Sequence, residues 1–415
     1  MATFPISSTL GGRACVAALL AASVVASAVP SVAADAPVAV VAPADPGRHA
    51  GCGAHGELRR SLRTLTDRDG LAGAAVLVTD ADGGPCARWR EAAGTADLSS
   101  GRPMNVTDRL RAGSVTKMFT ATVVLQLAAE HRLSLDAPVD RYLPGVVRKN
   151  GYDGRRITVR QLLQHTSGLP DYLDAPEWEH PEHLRYRHFT PRELVARALD
   201  LPRPRGGWHY ATTNYLLAGL IVGEVTGRPP EQEITRRLIR PLGLRDTYWP
   251  GDDPRIRRPY SRSYFIAADG HRVDGTDWNT SFGGVGGALV STPGDLTRFT
   301  TALLGGRLLP ADRLAEMRRT VAADPDRLWP GARYGLGLIA SPLRCGGMWW
   351  GHAGTVPGGH RALSATGPGG RTVAVALNQV PATLQSEQDF LNVVETAFCE
   401  DRSPGETRTA EGTNP

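Results

Sequence analysis

Lysine is nearly missing from this 415-residue chain. Lys117 and Lys149 are the only two, and the other 45 of its 47 cationic side chains are arginine. Arginine keeps its proton in any protein, so it cannot replace an amine that must act as a base. A GC-rich genome would favour arginine by itself, so position rather than scarcity is the informative feature. Metal-type spacing is also absent: no Cys-x-x-Cys and no Cys/His cluster calls for zinc. No basic run is interleaved with aromatics, and the net charge is only +5, too mild to imply nucleic acid. The Gly283-Gly284-Val285-Gly286-Gly287 stretch lacks the strand-then-helix setting of a phosphate cradle. No metal and no organic cofactor is therefore expected. No internal repeat is present, and beyond the start of the chain no apolar run could span a bilayer.

What is present begins with a secretory pattern. Arg13 precedes the apolar and small-residue run Ala14 to Val29, and small-x-small cleavage sites follow at Ala26-Ser27-Ala28 and Val32-Ala33-Ala34. Residues 1–34 read as a signal peptide and 35–51 as a flexible start, giving a protein secreted to the cell-wall space with no membrane anchor after cleavage. Removing the leader takes Cys15 and leaves Cys52, Cys86, Cys345 and Cys399, an even number for an oxidising compartment. Three pairings are open; near neighbours, Cys52 with Cys86 and Cys345 with Cys399, are the simplest.

Ala72 to Thr79 reads as a strand, and so do Ala288 to Ser291, Tyr334 to Ile339, His360 to Ala365 and Thr372 to Asn378. Between the two ends lie helical patterns, among them Ser114 to Glu130, Pro191 to Leu199 and Tyr215 to Thr226, and a last helix covers Gln385 to Phe398. The expected fold is α/β: an antiparallel sheet flanked by helices, built from residues 52–140 and 287–400, with an inserted mostly helical domain at 141–286 and a disordered tail at 401–415. A monomer is expected.

Lys117 stands three residues after Ser114, where the apolar Ser114–Glu130 segment begins. On a helix that spacing puts both side chains on one face. A serine at a helix start lies where backbone N–H groups can hold an oxyanion, and burial would lower the lysine pKa enough for it to take the serine proton.

The surroundings narrow the chemistry. Arg111-Ala112-Gly113-Ser114-Val115-Thr116-Lys117-Met118-Phe119, then Leu133 to Pro144, then Ile157 to Leu169 with His165-Thr166-Ser167-Gly168-Leu169, resemble the serine β-lactamase and D,D-peptidase superfamily. The branch is that of class C β-lactamases, secreted D-alanyl-D-alanine carboxypeptidases and related esterases. The resemblance implies a β-lactamase/transpeptidase-like fold, with Ser114 as acylated nucleophile and Lys117 as its proton partner. It makes Tyr210 the proton shuttle, held between cationic neighbours, in a Tyr-x-Asn element occupied here by Tyr210-Ala211-Thr212. It makes His352-Ala353-Gly354 the strand-edge triplet, with the N–H groups of Ser114 and Thr355 as oxyanion hole. Thr212, Phe282, Gly354 and Thr355 would contact substrate, whereas His165 reads as a turn-stabilising residue. Cys345 and Cys399 lie as in the disulfide-bearing secreted carboxypeptidases of streptomycetes.

Two departures temper that picture. Thr212 replaces an asparagine, keeping a hydroxyl but losing a paired donor and acceptor. Ala353 stands where carboxypeptidases often carry threonine. The expectation is a D-alanyl-D-alanine carboxypeptidase with transpeptidase potential, acting on peptide or ester substrates such as peptidoglycan stem peptides, with β-lactams as covalent ligands. The alternatives are an esterase, a class C-like β-lactamase, a peptide cyclase, or a catalytically weak penicillin- or peptidoglycan-binding protein.

Overall fold

Strands from the two ends of the chain meet in one nine-stranded antiparallel sheet. The first end contributes β1 (Gly73–Thr79), β2 (Arg88–Asp97) and β3 (Arg102–Pro103). The second contributes β4 (Val321–Ala322), β5 (Arg333–Tyr334), β6 (Ile339–Pro342), β7 (Met348–Thr355), β8 (Arg361–Thr366) and β9 (Thr372–Leu377). The order across the sheet is β4-β5-β6-β7-β8-β9-β1-β2-β3. Its seam is the β1–β9 pair, where Ala74 through Thr79 lie opposite Leu377 through Thr372. Both seam strands are continuous apolar runs, as strands covered on both faces must be.

The computed structural model describes residues 55–84, 86–267 and 269–400, which lie within one compact unit. The expected leader, flexible start, Cys52 and 401–415 tail fall outside those residues. The regular structure of segment 141–286 is mostly helix joined by long loops, with only short two- and three-residue strands.

Helices cover each face of the sheet. Among them are α1 (Thr116–Ala129), α2 (Val159–Gln164), α3 (Thr212–Thr226), α4 (Pro293–Leu304) and α5 (Leu384–Cys399). Phe390, Val393, Val394 and Ala397 of α5 form one apolar stripe and share a core with Leu58, Leu62, Leu363 and Val375. The other core joins α1, α3 and α4, and α1 is buried all round except at Gln126 and Ala129. The Cys345–Cys399 disulfide ties the β6–β7 turn to the end of α5. Closing a loop of 54 residues restricts the unfolded chain by about 4 kcal/mol on the chain-entropy model.

One expected strand is not continuous. Tyr334 to Ile339 divides into β5 and the start of β6, joined by a turn in which Gly335 N–H bonds Leu338 O. Gly337 takes φ of 81°, and a Cβ on Gly335 would lie 2.3 Å from Met317 O, so two glycines turn an apolar run back on itself.

Candidate active site

From Leu110 through Leu125 every residue is buried except Ser114. Leu110–Arg111 pairs with Val290–Ser291, and Ala112 N–H bonds Leu289 O, which steers the chain inward. Gly113, at φ 55°, then opens a 3-10 turn over Gly113–Val115 that feeds α1. Ser114 thus sits just ahead of the helix rather than within it.

Lys117 is fully buried, and its Nζ lies 3.0 Å from Ser114 Oγ, 2.9 Å from Gly286 O and 3.5 Å from Thr212 Oγ1. Loss of solvation lowers its pKa to about 7, against a smaller opposing pull from Asp171. The three neighbours suit a neutral amine. Gly286 O and Thr212 Oγ1 can take its two N–H groups, and the Ser114 hydroxyl can donate to its lone pair.

Thr212 begins α3, and its own N–H is held at 2.8 Å by Asp171 Oδ2. Burial raises the Asp171 carboxyl, while Thr212 N–H and Lys117 favour its charged form. Tyr210 precedes α3, with its ring centroid 4.9 Å from Lys117 Nζ. Its buried hydroxyl faces Ser114 without closing a hydrogen bond of normal geometry. Burial pushes the phenol well above its ordinary pKa, so near neutral pH Tyr210 keeps its proton while Lys117 is the group able to accept one.

The third wall is β7. A Cβ on Gly354 would lie 2.1 Å from Ala112 O and 2.6 Å from Ser114 N, and one on Gly113 would lie 2.8 Å from Thr355 N. These contacts show how closely the backbone of β7 at Gly354–Thr355 packs against the Ala112–Ser114 turn. Gly354→Ala is therefore expected to force β7 off the Ser114 turn. The expected cost is on the order of 3 kcal/mol, with turnover falling even where the variant still folds. Thermal denaturation and steady-state kinetics on the same preparation check both effects.

His352 differs from the expectation of a cation beside Tyr210. It is fully buried, its Nε2 pairs with Tyr334 Oη at 2.8 Å, and Nδ1 faces Ala353 O. Burial and the nearby Lys117 hold its pKa well below the ordinary value, so it is a neutral ring. Its centroid lies 6.3 Å from that of Tyr210. Phe282, expected against substrate, is 6 % exposed and packs 5.3 Å from Trp178 within the core. Thr355 Oγ1 accepts a 2.9 Å bond from Arg361, a buried guanidinium that also pairs with Glu387.

Three participants had no sequence signal. Gly286 acts through a backbone carbonyl, Asp171 reaches Thr212 across 41 residues, and Tyr334 meets His352 from a strand two places away in the sheet.

A family model described as "Beta-lactamase" matches residues 58–398. A D-stereospecific amidohydrolase from Streptomyces sp. superposes with a TM-score of 0.75 at 38 % identity, covering 84 % of this chain and 99 % of that one. Esterase EstB of Burkholderia gladioli is 33 % identical over 192 residues, 41 % of this chain and 46 % of its own. Penicillin-binding protein 4* of Bacillus subtilis (strain 168) is 26 % identical over 320 residues, 72 % of this chain and 66 % of its own. The chain thus spans under two thirds of the length of either curated relative.

Proposed function

From the premise that the chain belongs to the beta-lactamase family, we propose that it is an exported acyl-serine hydrolase cleaving amide bonds on the carbonyl side of a D-configured residue. The observation that carries the chemistry is the 3.0 Å approach of a lysine amine, with pKa about 7, to the only unburied residue of its segment. Lys117 takes the Ser114 proton as Oγ bonds to the substrate carbonyl. The Ser114 and Thr355 amides receive the oxyanion. The Tyr210 phenol gives its proton to the leaving nitrogen and is reprotonated from Lys117. Water then repeats the sequence on the ester.

The D-amide assignment draws on the likeness to the Streptomyces amidohydrolase, which extends over nearly all of that protein. D-alanyl-D-alanine carboxypeptidase is the second reading. It draws on the likeness, 25 % identity over 260 residues, to the D-alanyl-D-alanine-carboxypeptidase/endopeptidase AmpH of Escherichia coli (strain K12), and the Cys345–Cys399 disulfide suits an exported enzyme on either reading. It also needs a cation for the terminal carboxylate, and the guanidinium beside Thr355 is already matched by Glu387.

The test offers the purified protein D-alanine amide, L-alanine amide and a peptide ending in D-Ala-D-Ala. Ammonia from the D-amide, with at least about tenfold discrimination against the L-amide, is the expected outcome. Free D-alanine from the peptide without ammonia from the amide would replace this reading with the carboxypeptidase. Thr212→Asn is expected to raise amide acylation more than ester cleavage, by about three- to tenfold, because it returns a donor and acceptor beside Lys117. Parallel kcat/KM values on an amide and an ester check it, and equal changes would rule it out.

A further inference from the structure

The residue most closely engaged with Tyr210 is one the mechanism does not use. His165 caps α2 at φ 62° and is fully buried. Its carbonyl accepts the N–H of His209 at 3.0 Å, and its ring Nδ1 accepts the N–H of Ala211 at 3.2 Å. The residues before and after Tyr210 are thus both fastened to His165. Its ring lies 4.2 Å from the Tyr210 ring, tilted by 32°. The preceding residue extends the clasp, because Gln164 O accepts the indole N–H of Trp208 at 2.9 Å.

The chemistry of this ring is constrained. A backbone amide can only donate, so Nδ1 must carry a lone pair, and the Asn214 side-chain amide at 3.1 Å also points to it. The proton of the neutral imidazole therefore sits on Nε2, which is buried with no hydrogen-bond partner among the described residues. A residue kept only to end α2 would be glycine or asparagine, which take left-handed backbone without burying an orphan N–H. What imidazole adds is a flat face against Tyr210 and an acceptor at the base of its backbone, held together by one side chain.

We propose that His165 is a positioning residue for Tyr210: by gripping both flanking residues and stacking on the ring, it aims the phenol at Ser114. This rests on the reading of Ser114 and Tyr210 given above. A phenol with no hydrogen bond of normal geometry among the described residues depends on its surroundings for aim, and a displacement of about 1 Å can lower a rate by about 100-fold.

The test is a double-mutant cycle. His165→Asn keeps left-handed tolerance and an acceptor near the Nδ1 position but removes the stacked ring. Wild type, His165→Asn, Tyr210→Phe and the double variant are compared on an activated ester, with Ser114 acylation followed by intact mass. Expected is a 10- to 100-fold fall in kcat (an order-of-magnitude range) with KM within about twofold, and under about twofold further loss in the Tyr210→Phe background. Equal losses in both backgrounds, or none in the first, would overturn the role. Should His165→Asn not fold, His165→Phe, which keeps the ring and removes the acceptor, enters the same cycle with the same expected non-additivity. A wild type that forms no Ser114 acyl-enzyme overturns the catalytic reading itself. An acyl-enzyme with additive losses overturns only the part assigned to His165.

Discussion

Ser114→Ala is expected to abolish acyl-enzyme formation and to lower kcat/KM by at least about 10⁴-fold. Ser114 is the one residue from Leu110 through Leu125 that is not buried, and its hydroxyl lies 3.0 Å from the buried amine, closer than the buried Thr212 hydroxyl at 3.5 Å. Intact mass after mixing with benzylpenicillin or an activated ester should display an adduct on the wild type and none on the variant. An adduct that survives the substitution would mean a different nucleophile.

Lys117→Met is expected to lower kcat/KM by about 10³- to 10⁴-fold while raising the melting temperature. The two effects share one cause, the burial of an amine without a carboxylate in contact. With a pKa near 7, Lys117 is mostly neutral above that value, so wild-type acylation should climb as pH rises through about 7 and then level off. The linkage runs the same way. The folded pKa lies below the unfolded value of 10.5, so its contribution to stability is greatest above 10.5 and declines as pH falls toward about 7. Methionine removes that proton-binding difference and fills the same volume. A gain on the order of 1–3 kcal/mol at pH 7 is expected, smaller than full linkage because a packed site relaxes around a charged amine. Circular-dichroism melts at pH 6, 7 and 9 for both proteins would check it, with the difference shrinking at the highest pH. A Met variant that is less stable at every pH would mean that the ammonium is held by its neighbours rather than strained by them.

Sheet strands with continuous apolar runs, such as Thr372 to Leu377, were legible because strands covered on both faces must be apolar throughout. The turn between β5 and β6 was not. Gly335 and Gly337 interrupt a run whose apolar residues look strand-like, and the need for glycine arises from Met317 O pressing on one position and a left-handed backbone at the other. Phe282 was ambiguous for a related reason: an aromatic beside a glycine run packs against a core or lines a cleft, and its contact with Trp178 forms only in the folded chain.

The chemical character of the site was written locally. A serine and a lysine three residues apart at the head of an apolar stretch already imply a buried amine next to a hydroxyl, because helical spacing and burial are short-range consequences of residue type. Whether His352 would be a cation could not be read that way. Its charge depends chiefly on total burial and on Lys117 nearby, which outweigh the opposing bond to Ala353 O and arise from segments distant in the chain. The same holds for the Gly286 carbonyl on Lys117, for Asp171 under Thr212 and for the grip of His165 on both sides of Tyr210. Solvation and through-space contact set a proton's position and a side chain's aim, and these exist only once distant segments are packed together.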